Sequence, residues 1–84
     1  MHTPMVQIQV RFFASLRERL GVSELSLEVA EGTSVSEVWA LAAPGQPLSE
    51  NVLAARNLEY VRLDCRLADG DEVAFFPPVT GGER

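Results

Sequence analysis

From Val6 to Phe12 every second residue is apolar: Val6, Ile8, Val10 and Phe12 take one parity, and Gln7, Gln9 and Arg11 take the other. A period of two places the apolar set on one face of an extended strand and leaves the other face to solvent. The chain must therefore cover one side of a sheet. Phe13 breaks the alternation by setting an aromatic ring on the polar parity. Near the other end Val73 and Phe75 share an inward parity, and Phe76 departs from it as Phe13 does.

Between these strands the period changes. Ala14–Leu20 reads as a short helical turn stopped by Gly21, a residue suited to the left-handed C-cap. Leu25, Leu27 and Val29 alternate with Ser26 and Glu28 and predict a second strand, paired with the first as an antiparallel hairpin. Glu31-Gly32 is a turn. Ser34 and Glu37 have the spacing of a capping box. Val35, Val38, Trp39 and Ala42 follow at i, i+3, i+4 and i+7, one apolar face of a helix that Pro44-Gly45 stops. Val52–Arg56 and Leu58–Leu63 read as short strands around a turn at Asn57, and Asp69-Gly70-Asp71 marks a further turn. Pro77-Pro78 ends the last strand, because proline has no N–H for a ladder. Thr80–Arg84 lacks apolar partners and is expected to be a flexible tail.

This order predicts an α+β roll: a mixed sheet of four to five strands with one main helix packed on one face. One domain spans residues 1–84, with 77–84 projecting as its tail. In such a roll the first and last strands lie side by side and parallel at the centre. Phe13 and Phe76 then leave the sheet at the same edge.

With 84 residues the chain supports one modest core and leaves little room for an enclosed catalytic cavity. Its 46% hydrophobic content is that of a folded protein. The net charge of -5, with the seven basic residues scattered, argues against nucleic acid and suits a basic protein partner. No apolar run reaches the roughly 20 residues of a membrane helix, and no signal peptide is evident, so no membrane partner and a cytoplasmic location are expected. Cys65 stands alone, which excludes an internal disulfide and fits a reducing compartment. With no histidine nearby in sequence it reads as structural. His2 has no second ligand at metal spacing, and Asp69, Asp71 and Glu72 lack the spacing of a calcium loop, so no metal is expected.

Two segments carry a family resemblance. Val10-Arg11-Phe12-Phe13-Ala14-Ser15-Leu16-Arg17-Glu18, with Gly21 behind it, resembles the start of the molybdopterin synthase small subunits. Leu67-Ala68-Asp69-Gly70-Asp71-Glu72-Val73-Ala74-Phe75-Phe76-Pro77-Pro78-Val79-Thr80-Gly81-Gly82 resembles their ending more closely. The likeness runs from about Val6 to Gly82 and is weakest between Ala43 and Glu50. Two glycines near a chain end are weak alone; the whole terminal block is specific.

The resemblance implies a ubiquitin-like β-grasp fold and a carrier of sulfur. In that family an ATP-dependent adenylyltransferase activates the terminal glycine carboxylate, and sulfur from a persulfide donor makes it a thiocarboxylate. The tail then enters the large subunit, where sulfur passes to cyclic pyranopterin monophosphate; two small and two large subunits form the working heterotetramer. Carried onto this chain, Gly82 bears the sulfur and Gly81 precedes it. Phe13, Arg17, Phe76, Pro77, Pro78, Val79 and Thr80 are the candidate partner contacts. No cofactor is bound by the chain itself; ATP is used by the activating enzyme.

Plain readings stand beside these. Over half of a folded surface is apolar, so Phe13 and Phe76 alone are unremarkable; their shared edge beside the tail favours a partner patch. An exposed helical Arg17 is ordinarily just solvated. Trp39 at helical spacing reads as core.

The chemistry explains the tail. A carboxylate is a poor electrophile until adenylation supplies a leaving group. Glycine, without a side chain, threads a narrow channel and accepts backbone angles that others resist. Pro77-Pro78 stiffens the base of the arm. One departure matters: Glu83 and Arg84 follow Gly82, so its carbonyl lies in a peptide bond. Proteolytic removal by a processing protease, loss of carrier activity, or artificial addition of the two residues each accounts for this, and processing is preferred. Two other functions stay open: a carrier for thiamin, cysteine or tRNA thiolation or a protein tag, and a non-covalent β-grasp binding module.

Overall fold

The computed structural model describes residues 4–48 and 51–77. The first strand, β1 (Met5–Phe12), keeps the parity of its sequence: Val6, Ile8, Val10 and Phe12 are all buried. Strand β2 (Glu24–Ala30) pairs with it antiparallel, Val6 opposite Val29 and Val10 opposite Leu25. Helix α1 (Ala14–Leu20) makes the connection and buries Leu16. Gly21 ends α1 at φ 76°, and its N–H donates to the Arg17 carbonyl at 2.9 Å. A Cβ at this φ would crowd the following carbonyl, so glycine suits the position.

The expected capping box opens α2 (Val35–Ala42). The Glu37 N–H donates to Ser34 Oγ at 3.2 Å, and the Ser34 N–H donates to Glu37 Oε1 at 2.8 Å. That second bond, to the charged form of the carboxylate, holds Glu37 below the ordinary carboxylate range. Val35, Val38 and Trp39 are buried as the helical period predicts. Ala42 is only half-buried, and Ala43 takes the inward place instead. The helix stops at Ala42, where Ala43 leaves helical geometry at φ -131°, ψ 64° and turns inward. Trp39 Nε1–H then donates to the Gln46 carbonyl at 2.9 Å, tying down the Pro44-Gly45 turn.

Three strands complete the sheet: β3 (Leu53–Arg56), β4 (Glu59–Val61) and β5 (Glu72–Phe76). The spatial order is β2-β1-β5-β3-β4. The end strands of the sequence, β1 and β5, lie parallel at the centre, with Val10 opposite Val73 and Phe12 opposite Phe75. This is the β-grasp roll, with five strands. Leu58, expected to open the fourth strand, instead completes a two-residue turn, because Arg56 already pairs with Glu59.

On the helix side of the sheet Phe12, Trp39 and Phe75 form an aromatic triad. Phe12 and Phe75 stack at 5.8 Å, and Trp39 meets Phe75 edge-on at 5.0 Å and Phe12 at 6.0 Å. Each ring is essentially fully buried. Each therefore contributes roughly 1.5–3 kcal/mol from burial alone, with edge contacts adding to it. No helix among the described residues is long and apolar enough to cross a membrane.

Phe75 touches both partners of the triad, so Phe75→Ala leaves a cavity at the centre of the sheet. Urea denaturation is expected to show a loss of about 3–5 kcal/mol. A loss under about 1 kcal/mol would contradict the triad as the core of the fold.

Candidate functional site

The pairing that buries Phe12 and Phe75 also decides what reaches the opposite face. The Phe13 N–H donates to the Phe75 carbonyl at 3.1 Å, carrying the β1–β5 ladder one residue past β1. Alternation then sends Phe13 and Phe76 to the side away from α2. Their rings stack there, with centroids 4.9 Å apart and planes 5° from parallel. The shared edge read from the parity of these two residues is thus a direct contact. Phe13 is the residue before α1, and Ala14 turns the chain through φ +55° to begin that helix.

Register places more apolar side chains beside this stack. Leu53 lies opposite Phe76 and Ala55 opposite Ala74, and Tyr60 lies opposite Ala55. The Tyr60 ring meets Phe76 at 6.1 Å. Tyr60 is 73% exposed and Leu58, in the turn before it, 92% exposed. Phe13, Leu58, Tyr60 and Phe76 line a shallow depression of about 220 Å³, with Arg11 and Glu72 on its polar side.

The other half of this outer face is polar. Arg11 Nε meets Glu72 Oε2 at 2.8 Å, and its Nη2 lies 3.9 Å from Glu24 Oε1. Both contacts are solvent-exposed, so each is worth about 1 kcal/mol or less. Ser26 Oγ donates to Gln9 Oε1 at 2.9 Å. The face therefore divides into an apolar half on β5, β3 and β4 and a hydrogen-bonded, net acidic half on β1 and β2.

The remaining predicted residues fall in different places. Arg17 is exposed on α1, outside the depression, and its side chain makes no hydrogen bond or ion pair among the described residues. Pro77 follows β5 directly and lines a shallow groove with Ser15, Glu18 and Arg19 of α1. Pro78, Val79, Thr80, Gly81 and Gly82 lie outside the described residues. Cys65 packs against the core on the α2 side, with Arg56 Nη1 3.5 Å from its sulfur. Trp39 is core. Leu53, Ala55, Leu58 and Tyr60 were not singled out from sequence as site residues. Their signal was the parity of Leu53 and Tyr60, which becomes readable only once the β3–β4 register is known.

A family model described as ThiS family matches residues 10–82, from within β1 to the second glycine of the pair. The chain belongs to the ThiS family. Two curated relatives carry the name molybdopterin synthase sulfur carrier subunit. The one from Chlamydomonas reinhardtii is 39% identical over 83 residues, covering 92% of this chain and all of the relative. The one from Escherichia coli is 43% identical over 84 residues, covering 89% and 99%. Among solved structures this ThiS-family chain resembles the small archaeal modifier protein 1 of Haloferax volcanii, with a TM-score of 0.74, 28% identity, and coverage of 88% and 99%. It also resembles a chain in a complex of subunits 1 and 2 of the molybdopterin-converting factor from Helicobacter pylori, with a TM-score of 0.60, 25% identity, and coverage of 92% and 100%.

The Phe13–Phe76 stack is expected to be energetically real in this ThiS-family domain. A double-mutant cycle with Phe13→Ala and Phe76→Ala, followed by urea denaturation, should give a coupling of about 0.5–1.5 kcal/mol. A coupling indistinguishable from zero would mean the rings merely share a surface.

Proposed function

We propose that this chain is the sulfur-carrier subunit of a molybdopterin synthase. The observation that carries the reading is full-length kinship: relatives named as that subunit match at 39% and 43% identity over about nine-tenths of the chain. The structure is consistent with it. Strand β5 runs from beside the apolar depression into Pro77 and on toward Gly81-Gly82. A partner gripping the depression holds the base of the segment that ends in the glycine pair.

In this reading the reacting group is main chain. An adenylyltransferase uses ATP to convert the Gly82 carboxylate to an acyl adenylate, with pyrophosphate leaving. The terminal sulfur of a persulfide donor attacks the carbonyl carbon and AMP leaves, giving an acyl disulfide. A second thiol then attacks the donor's own sulfur, forming a disulfide with it and releasing the Gly82 thiocarboxylate. That sulfur passes to cyclic pyranopterin monophosphate in the large subunit. No side chain of this protein acts as acid or base. Its own contribution is a folded body that docks and a terminus thin enough to enter the partner's site. The protein works in the cytoplasm, and Phe13, Arg17, Phe76, Pro77, Pro78, Val79 and Thr80 contact the large subunit. A protease first removes Glu83-Arg84, because the Gly82 carbonyl is otherwise held in a peptide bond.

One observation favours a second reading. The small archaeal modifier protein resembles this chain over 88% of its length, and residues follow the glycine pair here as in a precursor. A carrier serving another sulfur acceptor, or a protein tag, shares the activation chemistry and differs in the recipient.

The test is intact mass. The chain ending at Gly82, given the adenylyltransferase, ATP and a sulfur source, is expected to gain the mass difference of one oxygen replaced by sulfur. The 84-residue chain should not gain it until Glu83-Arg84 are removed. No gain by the Gly82-terminated chain would overturn the carrier reading and leave a non-covalent binding module.

A further inference from the structure

Strands β3 and β4 are joined by two residues, Asn57 and Leu58, both in the left-handed backbone region at φ +51° and +74°. A two-residue turn of this kind matches the twist of the paired strands, and it prefers Asn followed by Gly. Asn57 fits the first position. Leu58 does not fit the second, because its Cβ crowds the following carbonyl in this region. A single exposed leucine is ordinary on a protein surface. A leucine that is 92% exposed and also holds a strained backbone is different, since it buries almost nothing in the free chain to offset the strain. Hydrogen bonds between Asn57 and both Asp71 and Glu72 hold the turn in this geometry, but none of them uses the Leu58 side chain. An apolar side chain kept at a strained position without a contact of its own points to its use elsewhere.

The position of Leu58 says where. It lines the same depression as Phe13, Tyr60 and Phe76, from the turn that joins the two strands farthest from β2. We propose that Leu58 is an apolar anchor by which this chain docks onto the molybdopterin synthase large subunit, its side chain entering an apolar pocket of that partner. The inference rests on the function proposed above and adds a residue and a surface to it.

Charge selects this occupant over a second copy of the chain. The charged residues of β1, β2 and β5 on the outer face are Arg11 against Glu24, Glu28 and Glu72, and the whole chain carries -5. Two copies meeting through this face would set acid against acid. A heterologous partner with an apolar pocket flanked by cations meets both halves of the face. The large subunit is the partner of stated role that must also receive the segment beyond Pro77, which begins beside the same patch.

The experiment pairs thermal melting with titration calorimetry against the large subunit from the same organism, using the chain ending at Gly82. Leu58→Gly is expected to raise the melting temperature by about 4 °C through relief of the backbone strain. It should also weaken binding by about tenfold. Leu58→Met, which stays strained and apolar, should melt and bind like the parent. If Leu58→Gly binds as tightly as the parent, or Leu58→Met binds as weakly as Leu58→Gly, the anchor assignment is overturned while the proposed function stands. A melting temperature that falls in Leu58→Gly overturns the strain argument. A parent chain that shows no binding overturns both the large-subunit reading and the anchor.

Discussion

The parallel pairing of β1 with β5 is the constraint on which the rest depends. It joins the two ends of the described chain at the centre of the sheet, so every other element is placed relative to it. Parallel neighbours require a long crossover, and here that crossover is nearly the whole domain: β2, α2, β3 and β4 all lie between β1 and β5 in sequence. Because side chains alternate along each strand, one register assigns two faces at once. Phe12 and Phe75 stack inward against Trp39, while Phe13 and Phe76 stack outward. The core and the candidate docking patch are consequences of the same hydrogen-bond ladder.

That coupling suits a carrier. In the function proposed above, the body would supply recognition through rings fixed by the central strands, and the chemistry would be left to a main-chain terminus that needs no catalytic side chain. Pro77 marks the handover: it ends the ladder, since it has no N–H to donate, and it lines a shallow groove with Ser15, Glu18 and Arg19 of α1. The proposed reaction asks for no catalytic cavity within this subunit. The acidic balance of the β1–β2 half, with Arg11 shared between Glu24 and Glu72, frames the apolar half rather than covering it.

Much of this was legible in the residues because local signals agreed with one another. Period two in β1 and β5, the Ser34/Glu37 box, and Gly21 after Leu20 each specify geometry within a few residues, and each is realised. The outward aromatics were legible for the same reason: a ring on the wrong parity is visible without knowing the partner strand. What was not legible depended on pairing between distant strands. Leu58 reads as strand from its neighbours, and only the Arg56–Glu59 pairing turns it into a two-residue hairpin loop. Tyr60 and Leu53 join the patch through contacts with Phe76 and Ala55 that register alone creates. Ala42 gave way to Ala43 because the chain leaves helical geometry directly after Ala42 and turns Ala43 inward.

The central claim is that sulfur travels on the Gly82 carbonyl while the outer sheet face holds the partner. The most direct measurement is molybdopterin formed from cyclic pyranopterin monophosphate by the large subunit, when the sole sulfur source is this chain ending at Gly82 as a thiocarboxylate. The account predicts product in proportion to the thiocarboxylate added, and a much slower reaction when Phe76 is replaced by alanine. Product formed equally well by the chain with Glu83-Arg84 still attached would contradict it.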